Sequence, residues 1–135
     1  KEIEIAALRI MSTMSAYLSA LGKEKRSVNT GMLAGNGTIR ASVKGYASGK
    51  LSKEELHQVW KAVEEALSAG ALGISLGIAY APEFEYDRDG LVEALQPLKG
   101  TDIPITTHIE MKEMESCWLC RKGFPWRKSC RFPCM

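Results

Sequence analysis

Two short apolar runs, Ala71 to Ser75 and Ile103 to Thr107, each follow a segment patterned like a helix, and that alternation restricts the chain more than any other feature. A short apolar run between helix-length polar segments is how a strand buried on both faces reads. Strands of that kind belong to parallel sheets covered by helices. Residues 53–108 therefore predict helix, strand, helix, strand, with right-handed crossovers. The second run ends on His108. In parallel α/β folds the carboxyl ends of strands carry the chemistry, so His108 stands where a catalytic or metal-binding residue belongs.

Around this frame the local signals are uneven. Met14, Tyr17, Leu18 and Leu21 follow helical spacing and predict a packing helix that ends near Gly22. Ser27 to Ala34 predicts a strand weakened by Gly31, followed by a tight turn at Gly35-Asn36-Gly37 with Thr38 to Arg40 beyond it. Arg40 occupies the place of a third glycine, so the Gly-x-Gly pair is a weak phosphate-binding signal. Ser52-Lys-Glu-Glu55 is a capping box that starts a helix at Lys53. Leu56, Val59, Trp60, Val63 and Leu67 supply its buried stripe, and Gly70 closes it. His57 falls beside the stripe and reads as a surface histidine. Asp89 is expected to cap a helix over Leu91 to Leu98, which Pro97 shortens to about two turns.

The chain has 135 residues, of which 45% are hydrophobic and 25% charged, enough for one ordinary globular core. A net charge of +2 calls for neither a nucleic acid nor a membrane as partner. No apolar run approaches the ~20 residues of a membrane helix. The first ten residues lack a signal-peptide pattern, so a cytoplasmic, reducing location is expected. The first residue is Lys rather than Met, which fits a truncated start. Charge is distributed unevenly. Residues 1–110 hold 12 basic against 14 acidic side chains, whereas Met111 to Met135 holds 6 against 2. That last segment also holds all four cysteines and two of the three tryptophans. One reading makes Cys117-x2-Cys120-x9-Cys130-x3-Cys134 a four-thiolate zinc site, with Arg121, Lys122, Arg127, Lys128 and Arg131 reaching phosphates or a protein partner.

For catalysis the candidates are few. A histidine at a strand's end suits zinc or a similar divalent ion. A catalytic zinc needs about three protein ligands, and the only other histidine is His57. Gly73-Ile-Ser75-Leu-Gly77 has the Gly-x-Ser-x-Gly form of an esterase nucleophile elbow. That motif belongs on a strand-to-helix turn, and here Gly73 comes too early in the strand while a loop follows Gly77. Tyr80 and Glu83, in an acidic, aromatic loop, are candidates for contact with a substrate.

Val28-Asn29, Gly35-Asn-Gly-Thr-Ile-Arg40, Gly45-Tyr46, Gly70-Ala-Leu-Gly-Ile-Ser75, Gly77, Tyr80-Ala-Pro82 and Thr107-His108 together carry a resemblance. From about Met14 to Ile109 the chain resembles the N-acyl-D-amino-acid deacylases, or D-aminoacylases, of the amidohydrolase superfamily. The resemblance implies a metal-dependent (β/α)8 TIM barrel that cleaves the linear amide of N-acyl-D-amino acids to an amino acid and a carboxylate. It implies zinc in the complete parent enzyme, a small N-acyl amino acid as partner, and an Asp as general acid/base that has no counterpart here. His108 matches the zinc-ligand histidine, and Tyr80 matches the mouth of the substrate site; no residue is matched to a catalytic role. The chain departs from the family in having Asn36 for a histidine, Leu76 for a threonine and Glu110 for a carboxylate-binding arginine. A (β/α)8 barrel needs ~250 residues, so residues 1–110 are expected to be a partial barrel, inactive alone.

Residues 111–135 are expected to be an aberrant, frameshifted tail. Read from the third base of the Glu110 codon, the codons for Glu110 to Glu115 force (Asn or Asp)-Glu-(Arg or Gly)-(Asn or Asp)-Gly. The deacylases characteristically continue with His-x-Arg-(Asn or Asp)-Glu at this place. In the same frame each Cys and Trp codon of the tail becomes one for Leu, Met or Val.

Overall fold

In the computed structural model, residues 13–23 and 27–108 are described. The tail 111–135, its cysteine spacing, Glu110 and the boundary after it lie outside them. The elements are α1 (Met14–Lys23), β1 (Leu33–Gly35), α2 (Asn36–Lys44), α3 (Lys53–Ser68), β2 (Gly73–Leu76), α4 (Arg88–Ala94) and β3 (Ile105–Thr107). Short 3-10 turns occupy Glu83–Glu85 and Gln96–Leu98. The strands form one parallel sheet in the order β1-β2-β3, with Leu33 opposite Gly73 and Ile74 opposite Ile105. The fold is α/β, with the helix–strand alternation expected over residues 53–108.

α3 organises the packing. The Ser52 hydroxyl accepts from the Glu55 amide at 3.2 Å while the Glu55 carboxylate accepts from the Ser52 amide at 2.7 Å, closing the capping box. Gly70 follows the helix with φ +108°, a conformation that excludes most side chains. Leu56, Val59, Val63 and Ala66 are buried on one face, joining Ile74, Leu76, Leu91, Ala94, Leu95 and Leu98 in the core. The expected stripe is corrected at two places: Trp60 and Leu67 are only half-buried, and Ala66 takes the inner position. The 56, 59, 63, 66 spacing keeps closer to one helix face, and Trp60 turns to the flank, where its ring stacks 5.0 Å from that of exposed His57. α3 packs against both α2 and α4, and α2 reaches β1 and β2.

Three further expectations are corrected. The first strand begins at Leu33 rather than Ser27, because its partner β2 begins only at Gly73. Just before it, the Leu72 amide donates to the Met32 carbonyl at 2.8 Å. Second, Gly35-Asn36-Gly37 is no isolated turn: α2 starts at once, with Gly35 as an extended N-cap (φ −78°, ψ 113°). Ile39 and Val43, four apart, pack this helix on the core. Third, Asp87 rather than Asp89 caps α4, its carboxylate accepting from the Gly90 amide at 2.8 Å. α4 stops at Ala94 because Pro97 cannot donate to a continuing helix, and a 3-10 turn absorbs the rest. Among the described residues no helix is long and apolar enough to cross a membrane.

Candidate active site

The three strands end side by side, so the residues that follow them meet at one end of the sheet. Gly35, Ser75 and Thr106 are in register across it, and Leu76 pairs with Thr107. Beyond them opens a cleft of about 460 Å³, lined by Gly35, Gly77, Tyr80, Glu83, Thr107 and His108 among others. The His108 amide donates to the Leu76 carbonyl at 2.9 Å, extending the ladder one residue past β3 and fixing the backbone that carries the imidazole. Ser75 stands inside β2, so no nucleophile elbow forms there.

Tyr80 reaches the same cleft from the loop after β2. Its amide donates to the Gly77 carbonyl at 3.2 Å, and its own carbonyl accepts from the Glu83 and Phe84 amides at 3.0 and 3.1 Å. The ring lies across the end of β2, and a Cβ on Gly77 would come 2.5 Å from it, so a side chain there would push the Tyr80 ring aside. Tyr80 remains 54% exposed, and its ring centroid is 5.9 Å from that of His108. The structure thus brings Tyr80 and His108 together, and leaves His57 on the outer face of α3.

At the wall of the cleft lies a buried polar cluster of which sequence reasoning named only Glu83, and that as a substrate contact; the structure corrects this, since both its carboxylate oxygens are engaged within the protein. Glu83, only 4% exposed, accepts from the Asn36 side-chain amide at 2.7 Å and from the Gly77 backbone amide at 2.6 Å. Burial pushes its carboxyl above the usual range, against the opposing pull of those two donors, the Arg40 charge and the Gly37 amide. Arg40 is fully buried, donating from Nη2 to the Gly49 carbonyl at 2.8 Å, with its guanidinium 5.4 Å from the centre of the Tyr86 ring. Burial also drives the Tyr86 phenol upward, countered by Arg40. The available signal was the spacing of Asn36 and Arg40, one helical turn apart on a face that also holds Gly37.

His108 offers one imidazole to a metal. Among the described residues no group of three His, Cys, Asp or Glu side chains could hold an ion. These residues therefore fit a single donor and not a complete metal centre.

No family model matches the chain. Over 93 residues it is 31% identical to a D-aminoacylase of Alcaligenes xylosoxydans xylosoxydans, a match covering 69% of this chain and 19% of that protein. An N-acyl-D-aspartate deacylase of the same organism is 32% identical over 89 residues, covering 66% and 18%. An N-acyl-D-glutamate deacylase, also from that organism, is 29% identical over 73 residues, covering 54% and 15%. Solved D-aminoacylase structures superpose with a TM-score of 0.61 at 30% identity, over 64% of this chain and 18% of theirs. One belongs to work on a binuclear metal center, another is a mutant in complex with copper chloride, and a third is described as defining a subset of amidohydrolases. The chain spans about a fifth of the length of the curated relatives it matches, at most 19%.

Proposed function

We propose that this chain is a segment of an N-acyl-D-amino-acid deacylase of the amidohydrolase superfamily, and that its strand-end cleft is one wall of the substrate site. The observation that carries this reading is the meeting of Tyr80 and His108 at the carboxyl end of a parallel sheet, within a stretch similar to D-aminoacylases. A run of parallel strands with helices between them suits part of a (β/α)8 barrel, whose active sites form at that end. Residues 1–110 are on this view a partial barrel, and the rest of it belongs to length this chain does not span.

His108 is the residue to supply a metal ligand. A neutral imidazole held by a fixed backbone is a good donor to zinc or another divalent ion. When bound, such an ion polarises a carbonyl oxygen and acidifies water. The remaining donors must come from outside the described residues. Tyr80, exposed beside His108, can donate its phenolic hydrogen to the carboxylate or acyl oxygen of an N-acyl-D-amino acid. Half its surface stays free for that contact.

The reading is tested in the longer protein that carries this segment. That protein should release amino acid from N-acyl-D-amino acids and not from their L-enantiomers. His108→Ala should lower bound metal, measured by elemental analysis, and abolish turnover together. Full turnover with unchanged metal content in this variant would sink the assignment.

A further inference from the structure

We propose that Glu83 is a positioning residue whose carboxylate pins the loop from Gly77 to Glu83 and so holds Tyr80 against His108. The loop leaves β2 at Gly77 and returns to that residue at Glu83. One carboxylate oxygen of Glu83 accepts from the Gly77 amide at 2.6 Å, closing the loop on the residue where it starts. The other accepts from Asn36 at 2.7 Å, tying the loop to the first residue of α2, 47 positions away. The Glu83 amide meanwhile binds the Tyr80 carbonyl at 3.0 Å. Tyr80 therefore sits inside a ring of hydrogen bonds of which Glu83 makes three. Gly37 lies so close that a Cβ there would be 3.1 Å from the carboxylate, so the carboxylate is packed in place on that side too.

Burying a carboxylate costs free energy unless donors surround it. A loop that needed only to be covered would be served by an apolar side chain at position 83. The acceptor pair is used instead to fix two backbone segments at once, which a methionine of the same length could not do. The functional weight of this tie rests on the substrate reading of the cleft. Its geometry, however, is readable without turnover, so the two can fail separately.

The chain has two histidines, and each is beside an aromatic ring: His108 by Tyr80, and His57 by Trp60 on the far side of α3. Proton NMR of the imidazole signals in the whole chain thus reports the site through His108 and the fold through His57. Tyr80→Leu removes the ring and defines the displacement of the His108 signals. Glu83→Met should reproduce that displacement with His57 unmoved, and in the Tyr80→Leu background it should add nothing further. Glu83→Gln should rescue the parent signals. Its oxygen can accept from Gly77 while its amide donates to Asn36 Oδ1, which is buried without a partner and needs only a flip of the Asn36 amide. His108 signals unmoved in Glu83→Met, or displaced by the same amount with and without Tyr80, would overturn the proposal. Should Glu83→Met also displace His57, the fold is lost, and hydrogen exchange in the unaltered chain decides. A Gly77 amide protected like those of β2 supports the tie, and one that exchanges freely refutes it.

Discussion

Gly73 has neighbours on both sides of its chain that leave no space for a methyl group. A Cβ there would lie 2.3 Å from the Pro104 carbonyl oxygen and 3.0 Å from the Leu33 side chain. The first is backbone of the segment entering β3, which cannot swing aside without opening the β2–β3 ladder. Gly73→Ala should therefore cost at least the ~1–3 kcal/mol of an overpacked core, read as a lower urea midpoint. A midpoint unchanged from the parent would contradict this packing. Glu83 leads to a second prediction, on pH. Its folded pKa is raised by burial, so between 4.5 and that higher value the folded chain binds more protons than the unfolded one. Stability from this group is therefore present in acid and lost as pH rises through the folded pKa. Asp87, held low chiefly by its hydrogen bond from Lys50, and Glu55, held low chiefly by the Ser52 amide, act in the opposite sense and lose stability as pH falls. Glu83→Gln removes the first effect alone. Its stability relative to the parent should climb as pH rises from 4.5, in urea titrations at several pH values; a difference independent of pH would count against it.

The helices show which signals survive in a sequence. α3 was legible because its capping box, its apolar period and its closing glycine agree. α2 was not, since a glycine precedes it, another stands in its first turn, and its inward face carries Asn36 and Arg40 where a leucine would have advertised burial. β2 and β3 were legible as apolar runs, and His108 and Tyr80 from their place just after them. The role of Glu83 was out of reach, because its partner Asn36 is distant in sequence and only the fold brings the two together. For α4 the sequence reading took Asp89 as the cap, and the structure overturns it, because the helix starts one residue before Asp89, at Arg88. The structure gives Asp87 the bond to the Gly90 amide and leaves Asp89 in the first turn. Asp87→Ala should lose about 1 kcal/mol, the usual worth of an N-cap, plus its ion pair with Lys50, whose exposure makes it minor. Asp89→Ala should lose only the few tenths due to a charge near a helix N-terminus. Thermal or urea melts of the two variants side by side check the order, and equal losses would return the cap to an open question.

At the scale of the molecule, the described residues end on one imidazole, His108, and the sequence of residues 111–135 differs in composition from all that precedes it. We propose that the deacylase-like stretch ends near His108; residues 111–135 hold four cysteines, two tryptophans and six basic residues. An evolved metal module would be expected to bring its own patterned core, yet the codons point elsewhere. Cysteine and tryptophan codons both begin with TG, so a frame starting one base earlier reads every one of them as Leu, Met or Val. The six residues that make the tail unusual become six aliphatic ones, the currency of buried strands and helices. The same shift turns Glu110 to Glu115 into a series that opens on (Asn or Asp)-Glu, the continuation expected of a deacylase segment. We therefore expect the source DNA to hold one inserted or lost base between the codons for His108 and Met111, followed by an open frame that continues in the shifted register. Resequencing across that junction is the measurement. An intact frame through residues 109–135, with stop codons in the shifted one, would show the tail to be genuine and return the four cysteines to consideration as zinc ligands.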